Sequence, residues 1–326
     1  MTSATKPPAF TTKQRVLLAL TAPLVPLFFC VASGVAAMRQ DNPAFHQHPE
    51  SMPQLRDLAL AAVITAVLVT LRTLAVAVFS PLARLALPPA TRCSAFRVDR
   101  FATSMFKLLY FSIMTVVGFW IQREAPWFPQ LLGGTGHASV AFEAVKMPPS
   151  QALRIYMLWQ LAYQTHSLVF VLFCKPFDAD TMDFVTHDLT GMLLIGSAYL
   201  VNYNALGSAV AFLNDACDAI QYAFFMATDS RRKAAIVPMY VVFMAGWWYT
   251  RLFVFPREYI YLLVMDSWKL DPHVSMGYLL PTTAMLGLLL ALQAYWYFLF
   301  AAKGWRVLRV ASKLDHAWAK KNADRS

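Results

Sequence analysis

The chain has 326 residues, 58% hydrophobic and only 14% charged, with a net charge of +10. A soluble domain carries about 25% charged residues, so the composition excludes an ordinary soluble enzyme and points to a protein built into a bilayer. On a soluble protein the positive balance would suggest nucleic acid; here the basic residues collect in particular loops, and no nucleic-acid partner is expected.

The first dozen residues are mostly polar. The apolar run from about Val16 to Met38 is too long for the core of a signal peptide and lacks a small-residue cleavage site, so it reads as a retained membrane helix. Seven more apolar segments follow, at about 57–80, 102–121, 151–174, 184–202, 205–227, 234–255 and 278–302. The expectation is an all-α integral membrane protein of about eight transmembrane helices, in one membrane domain. Only a residue or two near Tyr203 separates the fifth segment from the sixth, which predicts a tight antiparallel hairpin. The piece from Tyr259 to Met265 is apolar but too short to span, and reads as interfacial or re-entrant. Cys30, Cys93, Cys174 and Cys217 have neither metal spacing nor the pattern of a disulfide framework. His46 and His48 read as solvated loop residues, and no metal site is expected.

Loop charge orients the chain. With eight spans, one side holds Lys6, Lys13 and Arg15, then Arg84 to Arg100, Lys175, Arg231 to Lys233 and the basic tail from Lys303. The other side holds only scattered single cations such as Arg39, Arg56 and Arg123. By the positive-inside rule both termini are cytosolic. The basic loops are a possible hold for anionic groups, although topology already explains them. The tail reads as a basic helix lying on anionic lipid.

Chemistry concentrates between Asp183 and Asp218. An ionisable side chain in a membrane helix costs roughly 2.5–3.5 kcal/mol on insertion scales. His187, Asp188, Asn214, Asp215 and Asp218 fall within two short apolar helices. Such a cluster reads as a site facing a protein interior, the alternative being ion pairing to the intramembrane Arg72 or Arg251. Asp215 and Asp218 are spaced i, i+3 and share a helical face. They lie some ten residues, about 15 Å, from the cytosolic exit, so a cytosolic-half pocket needs the sixth helix to end early or tilt. A neutral imidazole at His187 can attack a thioester or accept a proton, and Asp215 or Asp218 is the expected carboxylate to orient it. His166 in the fourth segment either lines the interior or hydrogen-bonds within the bundle.

These residues resemble a known family. His187-Asp188-Leu-Thr, then Ser197-Ala-Tyr199, Gly207 and Leu213-Asn214-Asp215-Ala-Cys-Asp218 are similar to the longevity-assurance motif of acyl-CoA-dependent ceramide synthases of the TLC-domain family. Looser likeness begins near residue 52. It includes Met52 to Asp57, Phe101 to Tyr110, Pro126-Trp127-Phe128, Ile155 to Tyr163, Thr250 to Pro256 and Leu292 to Tyr297. The resemblance implies an endoplasmic-reticulum membrane protein in which six of the helices surround a tunnel open to the cytosol. It implies N-acylation of a long-chain sphingoid base by a fatty acyl-CoA, with acyl-CoA as co-substrate and no bound cofactor. By position, His187 is the acyl carrier and Asp215 and Asp218 the supporting acids. Asp188, Tyr199, Asn214, His166 and Arg251 are the substrate-binding candidates. Two departures stand out. Asp188 replaces the second histidine of the family's pair, and Asn214 stands where the pattern has a histidine. Asp188 need not contact His187, because neighbours on a helix point about 100° apart. The alternative is a non-catalytic protein of the same fold that binds lipid or assists membrane-protein handling. The domain division is a tail, first helix and loop at 1–51, a TLC-like membrane domain at 52–305, and a basic cytosolic tail at 306–326. Partners are then fatty acyl-CoA, the sphingoid base and the lipid bilayer, with homo-oligomerisation left open.

Overall fold

The computed structural model describes residues 12–174, 181–231, 233–270 and 275–323. Its side chains are described from residue 26 to residue 305 within those ranges, except at 233, 268 and 270. Among the described residues the chain forms helices and turns without a named strand. Eight long helices cover the eight apolar segments. They are α1 (Thr12–Asp41), α2 (Leu58–Ala86), α3 (Ala95–Gln122), α4 (Gln151–Phe173), α5 (Thr181–Leu200), α6 (Asn204–Asp229), α7 (residues 233–265) and α8 (Met276–Ala323). Three stretches among the described residues, Leu55–Ala86, Ala95–Gln122 and Met276–Trp305, are long and apolar enough to cross a membrane.

Local signals set the helix ends. Ser94 and Ser150 cap α3 and α4 by accepting from the backbone N–H groups of Arg97 and Leu153 at 3.4 and 3.2 Å. Between α5 and α6 only residues 201–203 intervene, so the predicted hairpin forms. Its turn uses Asn202 at φ 65°, a left-handed conformation that asparagine tolerates. Asn202 also donates to the carbonyls of Val145 and Met147, at 2.9 and 2.8 Å, fixing the turn against the loop before α4.

The seventh helix departs from expectation. Tyr259 to Met265 is not a separate re-entrant piece. An α-helical part, Lys233–Trp247, runs directly into a π-helical part, Trp248–Ile260, and then into Tyr261–Met265. Pro256 lies in the π part, where its missing N–H would break a regular ladder, and Tyr261 donates to its carbonyl across a widened turn. The tail likewise extends α8 without a break to Ala323.

Packing follows residue size and polarity. One stripe of α2, formed by Val63, Val67, Leu71, Leu74, Val78 and Leu82, faces outward. In water such a continuous apolar face would be a liability, whereas in lipid it is the expected surface. The opposite face, Ala61, Ile64, Leu68 and Arg72, is buried against α3 and α4. Gly118 lets α3 approach α4 closely, since an added Cβ there would lie 2.6 Å from the Tyr156 hydroxyl. Helix α1 packs on α5 and α8. The remaining six helices, α3 to α8, line a common cavity.

Candidate functional site

The cavity has a volume of about 330 Å³, within the range of roughly 300–1,000 Å³ usual for small-molecule sites. It is elongated. Its lining runs from Asp183, near the start of α5, to Tyr203 in the hairpin. Twenty residues at 1.5 Å each make that about 30 Å. Charge is sorted along it, with Tyr203, Tyr278 and Thr282 as the polar members of the uncharged half. Leu194, Ala198, Leu206, Val210, Leu286 and Leu289 line the hairpin half. The charged groups line the other half, because α6 runs antiparallel to α5 and brings Asp215 and Asp218 back toward His187.

In that polar half, the His187 Nδ1 lies 3.1 Å from the Asp188 Oδ1. The His187 ring packs on Trp296 of α8, with centroids 5.4 Å apart. Its Nε2 has no hydrogen-bond partner among the described residues. Asp188 is buried, and its other oxygen accepts a 2.7 Å hydrogen bond from the Ser167 hydroxyl on α4. Asp215 is buried too. Its Oδ2 accepts from Gln160 in a short hydrogen bond and from the Tyr156 hydroxyl at 3.3 Å. Asp218 accepts from the Arg251 guanidinium at 2.5 Å, and that guanidinium lies 4.3 Å over the Trp247 ring. Asn214 donates to the Val210 carbonyl at 2.8 Å and accepts from Gln293 at 3.2 Å.

The structure thus brings His187, Asp188, Asn214, Asp215, Asp218 and Arg251 to one cavity. It also redistributes their partners. No hydrogen bond or ion pair among the described residues joins His187 to Asp215 or Asp218. The carboxylate on the imidazole is Asp188, its own neighbour, turned sideways and held by Ser167. Asp218 carries the ion pair to Arg251 that the sequence offered as the alternative. Nor does α6 end early; it continues eleven residues past Asp218 to Asp229.

Two sequence candidates lie outside the lining. Tyr199 is buried, and its hydroxyl donates to Asp57 at 2.6 Å. It is twelve residues, about 18 Å, along α5 from His187. His166 is 1% exposed and packs its ring against Phe106 and Tyr163. It sits roughly 100° around α4 from the cavity-facing Ser167. Arg72 lies over the Phe170 ring, with its guanidinium 3.2 Å from the centroid. Of the loop cations named from the sequence, Lys175 and Arg232 lie outside the described residues.

The residues that sequence reasoning left without a role are Tyr156, Gln160, Ser167, Gln293 and Trp296. A signal existed for the first three. Tyr156, Gln160, Tyr163 and Ser167 recur at i, i+4, i+7 and i+11, a polar stripe at helical spacing.

The TLC domain family matches residues 100–302, which run from α3 into α8 and take in every helix that lines the cavity. The chain belongs to the TLC domain family. Curated relatives match part of the chain. Mouse (Mus musculus) ceramide synthase 5 is 25% identical over 202 residues, covering 62% of this chain and 47% of that protein. Mouse ceramide synthase 4 is 29% identical over 152 residues, covering 46% and 38%. Ceramide synthase 1 LOH3 of Arabidopsis thaliana is 22% identical over 214 residues, covering 62% and 67%. The chain spans under half the length of both mouse relatives. As a TLC domain protein it is a membrane protein, and His187, Asp215, Asp218 and Arg251 all fall inside the matched region.

Proposed function

We propose that this TLC domain protein is an N-acyltransferase that moves a fatty acyl group from acyl-CoA to a long-chain sphingoid base, through an acyl-imidazole on His187. The observation that carries the reading is the sorted cavity. An imidazole whose Nε2 has no hydrogen-bond partner among the described residues stands in the charged half of a long cavity, in a chain whose relatives are named ceramide synthases.

In the first step the His187 Nε2 attacks the thioester carbonyl carbon. The C–S bond breaks, and CoA leaves as thiolate. In the second step the amine of the base attacks the same carbon. The C–N bond to the imidazole breaks, the amide forms, and the proton lost by the amine ends on the thiolate. In this reading Asp215 or Asp218 takes the proton whose loss turns the incoming ammonium into the attacking amine, and the uncharged half takes the chains. Asn214 and Arg251 edge the polar half. The membrane arrangement proposed is eight spans with α3 to α8 around a tunnel open to the cytosol. It places both termini in the cytosol and the protein in the endoplasmic-reticulum membrane, divided at residues 51 and 305 as the sequence suggests.

The test is intact-mass measurement of the purified protein incubated with fatty acyl-CoA of several lengths, followed by a sphingoid base. A gain of one acyl mass in the wild type, absent in His187→Ala, and ceramide on adding the base are expected. Absence of adduct and ceramide at every length overturns the proposal in favour of a non-catalytic lipid-binding member of the family. One observation leans that way: Asp215 and Asp218 already have protein partners.

A further inference from the structure

Resting on the reading in which His187 carries the acyl group, we infer that Asp188 is its positioning residue. Anchored by Ser167, it keeps the imidazole proton on Nδ1 and turns the Nε2 lone pair into the cavity.

Three observations converge. Asp188 touches the Nδ1 of His187 with one oxygen, at 3.1 Å, and the Ser167 hydroxyl with the other, at 2.7 Å. An ionised carboxylate only accepts hydrogen bonds, so the nitrogen facing it must carry the hydrogen. Adjacent helical residues diverge by about 100°, so this contact needs the Asp188 side chain to swing along the helix surface. Ser167 arrives from α4 to hold it there. Asp188 is 6% exposed, and a buried carboxylate is found where its hydrogen bonds are met. Of the other acids lining the cavity, Asp215 is engaged by Gln160 and Tyr156 and Asp218 by Arg251, while Asp183, one turn before His187, makes no hydrogen bond or ion pair to it among the described residues. Where the family pattern has a second histidine, this chain has an anion that fixes one tautomer, whereas a neutral imidazole offers one donor and one acceptor and fixes none by itself.

The experiment uses the full chain in nanodiscs with nitrogen-labelled histidine. Two-bond proton–nitrogen correlation reads the tautomer of His187, assigned by its loss in His187→Gln. Single-turnover acylation by palmitoyl-CoA reads the nucleophile. The wild type is expected to show the Nδ1–H form. Asp188→Ala is expected to shift it toward Nε2–H and slow acylation at least roughly 100-fold, as a misplaced tautomer does to other catalytic histidines. Ser167→Ala, which removes only the anchor, is expected to slow acylation about tenfold, and it keeps the question open to test if Asp188→Ala fails to fold. An Nε2–H form in the wild type, or Nδ1–H retained in Asp188→Ala, overturns the inference. A wild type that shows Nδ1–H yet resists acylation defeats the acyl-transfer reading instead and supports the Asp188 contact.

Discussion

Helices α4 and α5 each carry polar residues at both ends, and the two ends behave differently. At the hairpin end, Asp57 accepts from the Tyr199 hydroxyl, the Arg154 guanidinium and the Gln54 backbone N–H, at 2.6, 2.8 and 2.9 Å. Arg39 nearby donates to the carbonyls of Pro53 and Leu200. These groups saturate one another, and none of them lines the cavity. At the other end His187, Asp215, Asp218 and Arg251 also have partners, yet each keeps part of its surface on an open slot. A buried polar cluster is a joint when its hydrogen bonds close on themselves, and a candidate site when some of its atoms remain turned to space a ligand can enter.

The strongest way to break this contrast is at His187. His187→Ala is expected to lower ceramide formation by about a thousandfold or more while lowering the melting temperature only modestly, since a nucleophile is irreplaceable whereas its loss from the fold leaves one Asp188 oxygen without its donor. Turnover assays beside thermal melts of the detergent-solubilised protein decide it. Retained turnover moves the site elsewhere. Next in size is Arg251→Met, which strands Asp218 beside the cavity. Removing one partner of a buried ion pair costs about 3–5 kcal/mol, and the double variant Arg251→Met/Asp218→Leu is expected to recover much of it. Denaturation of the three proteins reads this directly. If the single variant is as stable as the wild type, the pair is not the structural tie described.

Tyr199→Phe tests the closed end. A hydrogen bond to a charged acceptor contributes about 1.5–3 kcal/mol, so lower stability with unchanged turnover per folded molecule is expected. Loss of turnover beyond the loss of fold would place Tyr199 in the site after all, as the motif resemblance first suggested.

Tyr199 also shows where the sequence stopped being legible. Eight apolar segments, the tight hairpin near Tyr203 and the gathering of His187 with the two aspartates on neighbouring helices follow from hydropathy and spacing alone. Which carboxylate meets which partner does not. Spacing put Asp215 and Asp218 on a shared face but had no means of showing that Gln160 and Arg251 claim them first. The i, i+1 geometry of Asp188 left open the contact that Ser167, twenty-one residues earlier, makes possible. The continuous α7 was hidden for a different reason. Pro256 and the charged pair Arg257-Glu258 lower the hydropathy there, so a helix that simply changes its turn looked like a helix that stops.

Gly207, another motif position, carries the smallest expected effect and lies between the two ends. It lines the cavity from α6, where an added Cβ would come 2.8 Å from the Met157 Cε and 3.4 Å from the Ala198 Cβ. The near clash is with the tip of a methionine, the side chain best able to move aside. Its φ is not positive, so no backbone conformation demands glycine there. Gly207→Ala is therefore expected to cost less than about 1 kcal/mol and to change turnover less than threefold. The same small penalty should appear with short and long acyl donors. A steep loss confined to long chains, in a protein that melts normally, would mean that the acyl chain passes directly over Gly207.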